Sequence, residues 1–198
     1  MVVAALASAL ARRDPSVAAH CARVTVLAGR LASWLGWDEV RLARLRLGAP
    51  LHDIGKVTLS QTVLSKAGPL APNELAQIRT HPAAGAKLIS PVGAERHAIP
   101  YALYHHERWD GGGYPTGRAG EEIPEGARLL SVADAFDAMV SERPYRRALP
   151  TRVALAEIER CAGSQFDPAF ANAFLEAWDA GVLELREQPR LRASSGRA

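Results

Sequence analysis

The chain is short of cysteine. Its 198 residues hold two, Cys21 and Cys161. They lie far apart and match no metal spacing, which argues against a disulfide framework and for a reduced, cytoplasmic setting. Lysine is scarce as well: Lys56, Lys66 and Lys87 are the only lysines among 24 basic residues. Acidic residues number 21, so the formal net charge is +3, too little to imply a nucleic-acid polymer or a membrane surface as partner. No apolar run reaches the ~18 residues of a membrane span. The opening MVVAALASAL has no basic n-region and runs into Arg12, Arg13 and Asp14, so it makes a poor signal peptide. Residues 1–11 are therefore expected to be the tail of a helix entering the domain, or a cut end of a longer protein. At the other end, REQPRLRASSGRA lacks apolar periodicity, and 183–198 is expected to be a disordered tail. Strand alternation and internal repeats are missing too.

What is present is helical patterning and an ordinary globular composition, 48% hydrophobic and 23% charged. Pro15 opens a helix in which His20, Val24, Leu27 and Leu31 recur at helical spacing, with Gly36 as its stop. Asp38 suits the N-cap of the next helix, which runs towards LHDIG. Residues 57–71 read as a loop, followed by a helix with Pro72 and Glu74 in its first turn. Pro82 must interrupt or restart that helix just after His81. A helix from about Glu95 is expected to end at His105 and His106. The glycine-rich stretch HHERWDGGGYP then opens a loop lasting to about Pro124. ARLLSVADAFDAMV is helical again and puts Asp134 and Asp137 on one face. Asp167-Pro168 starts the last helix, and Gly181 ends it. The pattern predicts an all-α fold: a compact helical bundle with one long glycine-rich loop.

Histidine carries the chemistry. The six are His20, His52, His81, His97, His105 and His106, and all but His97 sit beside a boundary, an acid or another histidine. Imidazole and carboxylate together suit iron, manganese, nickel or zinc. The set divides into His20, His52 and Asp134 at one ion and His81, His105 and His106 at a second, with Asp53 bridging both. Paired ions roughly 3.5–4 Å apart activate water and steady both oxygens of a phosphoester displacement. The end of a helix before the glycine loop frees His105 and His106 from the ~100° divergence of helical neighbours.

LHDIGK, THP, HHERWDGGGYP, ADAFDAMVSERPYR and SQFDP, in that order, resemble the HD-GYP family, the bacterial cyclic di-GMP phosphodiesterases of the HD superfamily. The resemblance makes the bundle HD-domain-like, with the domain over 12–182. It implies metal ligation by His20, His52, Asp53, His81, His105, His106 and Asp134, holding two divalent ions, iron or manganese before nickel or zinc. It implies that Lys56 meets the scissile phosphate, with Asp53 the second catalytic residue. Gly113, Tyr114 and Pro115 form the motif that names the family, and Tyr114, Arg143 and Arg146 resemble substrate-binding residues. The activity implied is attack by a metal-bridging hydroxide on cyclic di-GMP, giving pGpG and, after a second cut, GMP. A non-catalytic cyclic-dinucleotide sensor, a module docking a diguanylate-cyclase-type partner through the GYP loop, and an HD phosphohydrolase for another nucleotide are the alternatives. A homodimer stays open.

One departure bears on the ion count. Some members carry a glutamate four residues before the first-helix histidine, which helps hold a third ion. Here that position is Ser16, a poor ligand, so two ions are expected. Ser60 and Gln61 stand where the family often shows Pro-Asp. Asp137 is expected to orient its neighbours and Asp110 to fix the glycine loop through side-chain-to-backbone bonds. Trp34, Trp37 and Trp178 are expected in the core or an interface, and His97 on a helix surface.

Overall fold

Asp14 marks the first break in the chain. The computed structural model describes residues 2–66, 68–91, 93–142 and 147–183. Helix α1 (Val2–Arg13) stops at Asp14, whose carboxylate then caps α2 (Pro15–Trp34) by accepting from the amides of Ser16 and Val17. The boundary expected between residues 11 and 12 falls within α1, and Leu10 of that helix is buried. Asp38 caps α3 (Glu39–Gly48) through the Arg41 amide. After α3 the chain tightens into two short 3-10 turns, Ala49–Leu51 and Ile54–Thr58. His52 and Asp53 lie between them.

The stretch 57–71, expected as loop, contains a single helical turn, α4 (Gln61–Leu64). Ser60 is the reason: its hydroxyl accepts from the Val63 amide and supplies an N-cap. Next come α5 (Pro72–Ile78) and α6 (His81–Ile89), with Pro82 in the first turn of α6. The helix expected from about Glu95 is instead a 3-10 turn, Gly93–Ala98, followed by α7 (Ile99–Tyr104). Pro100 accounts for the difference, because it has no N–H for an interior helical bond but suits a first turn. His105 caps the C-terminus of α7, so the two histidines do lie at a helix end. Beyond the glycine loop and a 3-10 turn at Gly120–Glu122 come α8 (Glu125–Val140), α9 (Thr151–Arg160) and α10 (Pro168–Asp179). Helix α9 is not marked in the pattern. The tail expected over 183–198 lies outside the described residues apart from Leu183, which is buried in the larger apolar cluster.

The fold is all-α. Among the described residues there is no strand, and no helix is long and apolar enough to cross a membrane. Two apolar clusters hold it. Val24, Leu27 and Leu31 of α2 meet Leu129 and Phe136 of α8 and Phe170 and Phe174 of α10 in the larger one. Leu10, Cys21, Leu51, Ile54, Ile89 and Ala102 make the smaller. Full burial of each such Leu, Ile or Phe contributes about 1.5–3 kcal/mol. Helix α2 belongs to both clusters, which fixes His20 between them. Trp37 is buried and Trp178 packs on Phe136, while Trp34 is 45% exposed.

Candidate metal centre

Close packing at one glycine brings the first histidines together. A Cβ on Gly55 would lie 1.9 Å from the His81 carbonyl oxygen, so only glycine lets the start of α6 press on the turn after Asp53. The Asp53 Oδ1 atom then lies 3.2 Å from His81 Nε2 and 3.8 Å from His105 Nε2. Its other oxygen, Oδ2, is 3.6 Å from His52 Nε2 and 3.9 Å from His20 Nε2. Asp134, on α8, reaches His20 Nε2 at 2.9 Å and His52 Nε2 at 4.0 Å. The His106 ring lies 4.1 Å from that of His105 and 5.0 Å from that of His81, centroid to centroid. Two groups of donor atoms result, Asp53 with His81, His105 and His106, and His20 with His52 and Asp134. Within each, the donor atoms lie within 4.8 Å of one another.

The rings are aimed. His52 Nδ1 faces the Ala49 carbonyl at 2.8 Å, His81 Nδ1 that of Ile78 at 2.7 Å, and His105 Nδ1 that of Tyr101 at 3.0 Å. A carbonyl only accepts, so each Nδ1 carries a proton and each Nε2 is the nitrogen turned inward, the one an ion would take in place of a proton. His20 Nδ1 is held the same way by Asp137 Oδ2 at 2.7 Å. Asp137 is itself gripped by Arg23, through Nε at 2.6 Å and Nη2 at 2.9 Å. It orients His20, as expected.

This donor set fits divalent ions. Among the described residues, His52 Nε2 and Asp53 Oδ1 are buried without a hydrogen-bond partner, an arrangement that costs about 1–3 kcal/mol per group unless something satisfies it. The Nε2 atoms of His81 and His105 approach to 3.3 Å, two ligand-type nitrogens turned on one point. A cation answers all of these at once.

Electrostatics separate the two groups. Burial pulls His20 down, but the hydrogen bonds it donates to Asp134 and Asp137 outweigh it and lift the imidazole to about 9. Burial likewise opposes charge on His52, and Cys21 and Asp53 raise it to about 9. Burial pushes His105 down to about 4, and burial with His105 alongside holds His106 well below the ordinary histidine range. Burial works against the Asp53 carboxylate too, but Lys56 and His52 hold it well below the usual carboxylate range. The Lys56 ammonium lies 2.6 Å from Asp53 Oδ2.

The glycine loop closes over His106. The Tyr114 ring stacks on that imidazole at 4.9 Å and 26°, and the Tyr114 amide donates to the His106 carbonyl at 3.2 Å. A Cβ on Gly113 would lie 2.4 Å from the Arg108 amide nitrogen, which explains that glycine. Pro115 follows through a cis peptide bond. Asp110 accepts from the Gly112 amide, as expected of it. Arg143 and Arg146 lie outside the described residues.

Four residues here escaped the sequence reading. Glu107 is buried and its carboxylate accepts from the Thr116 amide and hydroxyl, both at 2.7 Å, and from the Gly117 amide at 3.1 Å. Its place directly after the paired histidines was the available signal. Arg79 lies with its guanidinium 5.2 Å over the Tyr114 ring, two residues before His81. Arg23 follows His20 by one helical turn. Cys21 has a thiol within 4.8 Å of donor atoms of His52 and Asp53, and no cysteine spacing announced it. The Ser16 hydroxyl, by contrast, turns to Asp14 at 2.7 Å.

Comparison with known proteins agrees with this geometry. The HD domain family matches residues 4–170. A cyclic di-GMP phosphodiesterase of Thermotoga maritima is 41% identical over 171 residues, covering 83% of this chain and 45% of that protein. A 3'3'-cGAMP-specific phosphodiesterase of Vibrio cholerae is 34% identical over 176 residues, covering 88% of this chain and 34% of that one. The chain thus spans less than half the length of either relative. A solved structure of a cyclic GMP-AMP specific phosphodiesterase from V. cholerae superposes with a TM-score of 0.67 at 21% identity, over 92% of this chain and 49% of the other. With the paired histidines, the HD dipeptide and the GYP loop in one cluster, the chain belongs to the HD domain family, as an HD-GYP protein.

Proposed function

We propose that the chain is a metal-dependent phosphodiesterase that hydrolyses cyclic di-GMP to pGpG and then GMP. The carrying observation is Asp53, buried, with one oxygen turned to each of two donor groups. His20, His52 and Asp134 hold one ion in this reading and His81, His105 and His106 the other, with iron or manganese preferred. Two such ions supply an activated water and neutralise charge on the phosphate. Asp53 links the two positions and is held ionised by Lys56. Lys56, at the rim of the cluster, meets the phosphate as charge develops or gives a proton to the leaving oxygen. Tyr114, stacked on His106, receives one face of the substrate, with Gly113 and Pro115 shaping the loop and Arg143 and Arg146 gripping phosphate or guanine. Ser16 turns away to Asp14, which supports two ions rather than three. The T. maritima relative supports cyclic di-GMP as substrate. The relative named for 3'3'-cGAMP supports a second reading, in which that dinucleotide is preferred.

The test is to load anaerobically prepared protein with manganese or iron, count the ions, and incubate it separately with cyclic di-GMP and 3'3'-cGAMP. Near two ions per chain and faster conversion of cyclic di-GMP are expected. Asp53→Ala should abolish turnover and lower bound metal while the helical spectrum survives. Near-normal turnover in that variant, or three tight ions in the wild type, would overturn the assignment.

A further inference from the structure

A second concentration of polar chemistry lies where α3, the 3-10 turn Gly93–Ala98, α7 and the start of α8 meet. These elements enclose an open cavity of about 240 Å³, lined in part by Arg41, Arg44, Arg96 and His97. Among the described residues Glu125 is the one acid on its wall, and it is already taken. It pairs with Arg41, whose guanidinium also lies 4.6 Å over the Trp37 ring. Arg44 and Arg96 have no ion pair or hydrogen bond to a described residue. Two guanidiniums that line one small concavity repel one another, and an anion shared between them converts that repulsion into charge-assisted hydrogen bonds.

We propose that this cavity binds a phosphate dianion, free or as the terminal group of a small monoester, gripped by Arg44 and Arg96 with His97 beside them. Size and charge favour that class. The space is below the ~300–1,000 Å³ of a site for a drug-sized ligand, so it suits a phosphoryl group and part of its carrier. A phosphomonoester carries about −1.5 to −2 charges and three acceptor oxygens, whereas a diester carries a single charge. On the function proposed above, pGpG and GMP have such a terminal group and cyclic di-GMP does not. Product nucleotide and free inorganic phosphate are therefore the two sources. Helix α7 runs from this cavity to the metal centre. Tyr101 lines the cavity, and its carbonyl faces His105 Nδ1.

The experiment is calorimetric titration of metal-loaded protein with inorganic phosphate and with GMP, at fixed ionic strength. The comparison is the Arg44→Glu/Arg96→Glu double variant, with folding checked by circular dichroism and metal content by elemental analysis. Wild-type protein should bind one more equivalent of each probe than the double variant, or bind it at least ~10-fold more tightly. Tighter binding of GMP than of phosphate assigns the cavity to the nucleotide, and equal binding assigns it to phosphate itself. A folded double variant that binds both probes with wild-type stoichiometry and affinity overturns the proposal. The readout is binding without turnover, so a failure of the proposed hydrolysis leaves this result separately legible.

Discussion

Lys56 is the residue whose part the geometry narrows most. Three residues after Asp53, its ammonium lies 2.6 Å from Oδ2 of that carboxylate. Burial opposes charge on the lysine, and Asp53 more than restores it, raising the pKa above the ordinary lysine value. Two roles follow from one contact. If Lys56 acts on the phosphate only as charge develops there, Lys56→Ala should lower kcat by ~10²-fold or more, with KM and bound metal near wild type. If it only steadies Asp53, bound metal should fall together with rate. A change confined to KM would make it a substrate anchor. The first outcome is expected, because Asp53 keeps contacts with four imidazoles after the lysine is removed. The candidate ligands themselves were legible in the sequence, since histidine is scarce and the HD and HH pairs stand out, and the structure gathers them into two donor groups. The groups that aim them were not. Arg23 meets Asp137, 114 residues away, and the carbonyls that fix the rings belong to Ala49, Ile78 and Tyr101, whose side chains announce nothing.

Among the elements, the glycine loop depends on neighbours remote in sequence. Glu107 pins its far side at Thr116 and Gly117, and the 164–165 turn pins its near side. There the Ser164 carbonyl accepts from the Asp110 amide at 2.9 Å, and the Gln165 carbonyl from the Trp109 amide at 3.1 Å. The SQFDP stretch is thus a brace for the loop, and its Asp167 also caps α10 and pairs with Arg128 of α8. Glu107→Ala strands two amides and a hydroxyl in a partly buried place, which should cost roughly 1–3 kcal/mol. Because Tyr114 stands inside the pinned segment, KM should rise as well, while bound metal stays constant. Glu107→Gln keeps an acceptor and should fall between the two. Parallel melting curves, kinetics and metal counts on the three proteins check this, and an unchanged KM in Glu107→Ala would detach the pin from substrate binding. Helix positions were readable where a cap or proline marks them, at Asp14-Pro15, Asp38 and Asp167-Pro168. They were misread over 95–106, where apolar spacing suggested one helix and Pro100 divides it, and over 57–71, where one serine cap suffices for a turn of helix.

For the whole molecule the cluster of histidines and aspartates is a stability device whose sign depends on pH. In metal-free protein His20 and His52 have pKa values near 9, above their ordinary 6.5. The folded state then holds protons that the unfolded chain has released, so their contribution is complete below 6.5 and is lost as pH rises through about 9. His105, lowered to about 4, acts in the opposite sense: its contribution is present above 6.5 and is lost as pH falls towards 4. Asp53 and Asp134, both held below the ordinary 3.8, extend that loss at still lower pH. Metal-stripped protein should therefore melt highest near pH 6.5. Its Tm should fall by at least ~2–4 °C between 6.5 and 9, the response of a domain of this size to about 1 kcal/mol. Ions at the same atoms replace those protons, so loading at neutral pH should release protons into weakly buffered solution. It should also raise Tm and abolish the decline towards pH 9. Calorimetry of stripped and loaded protein at pH 6.5, 8 and 9 measures each part. A stripped protein whose Tm holds steady or climbs over that range would show that His20 and His52 are not held as imidazolium by Asp53, Asp134 and Asp137.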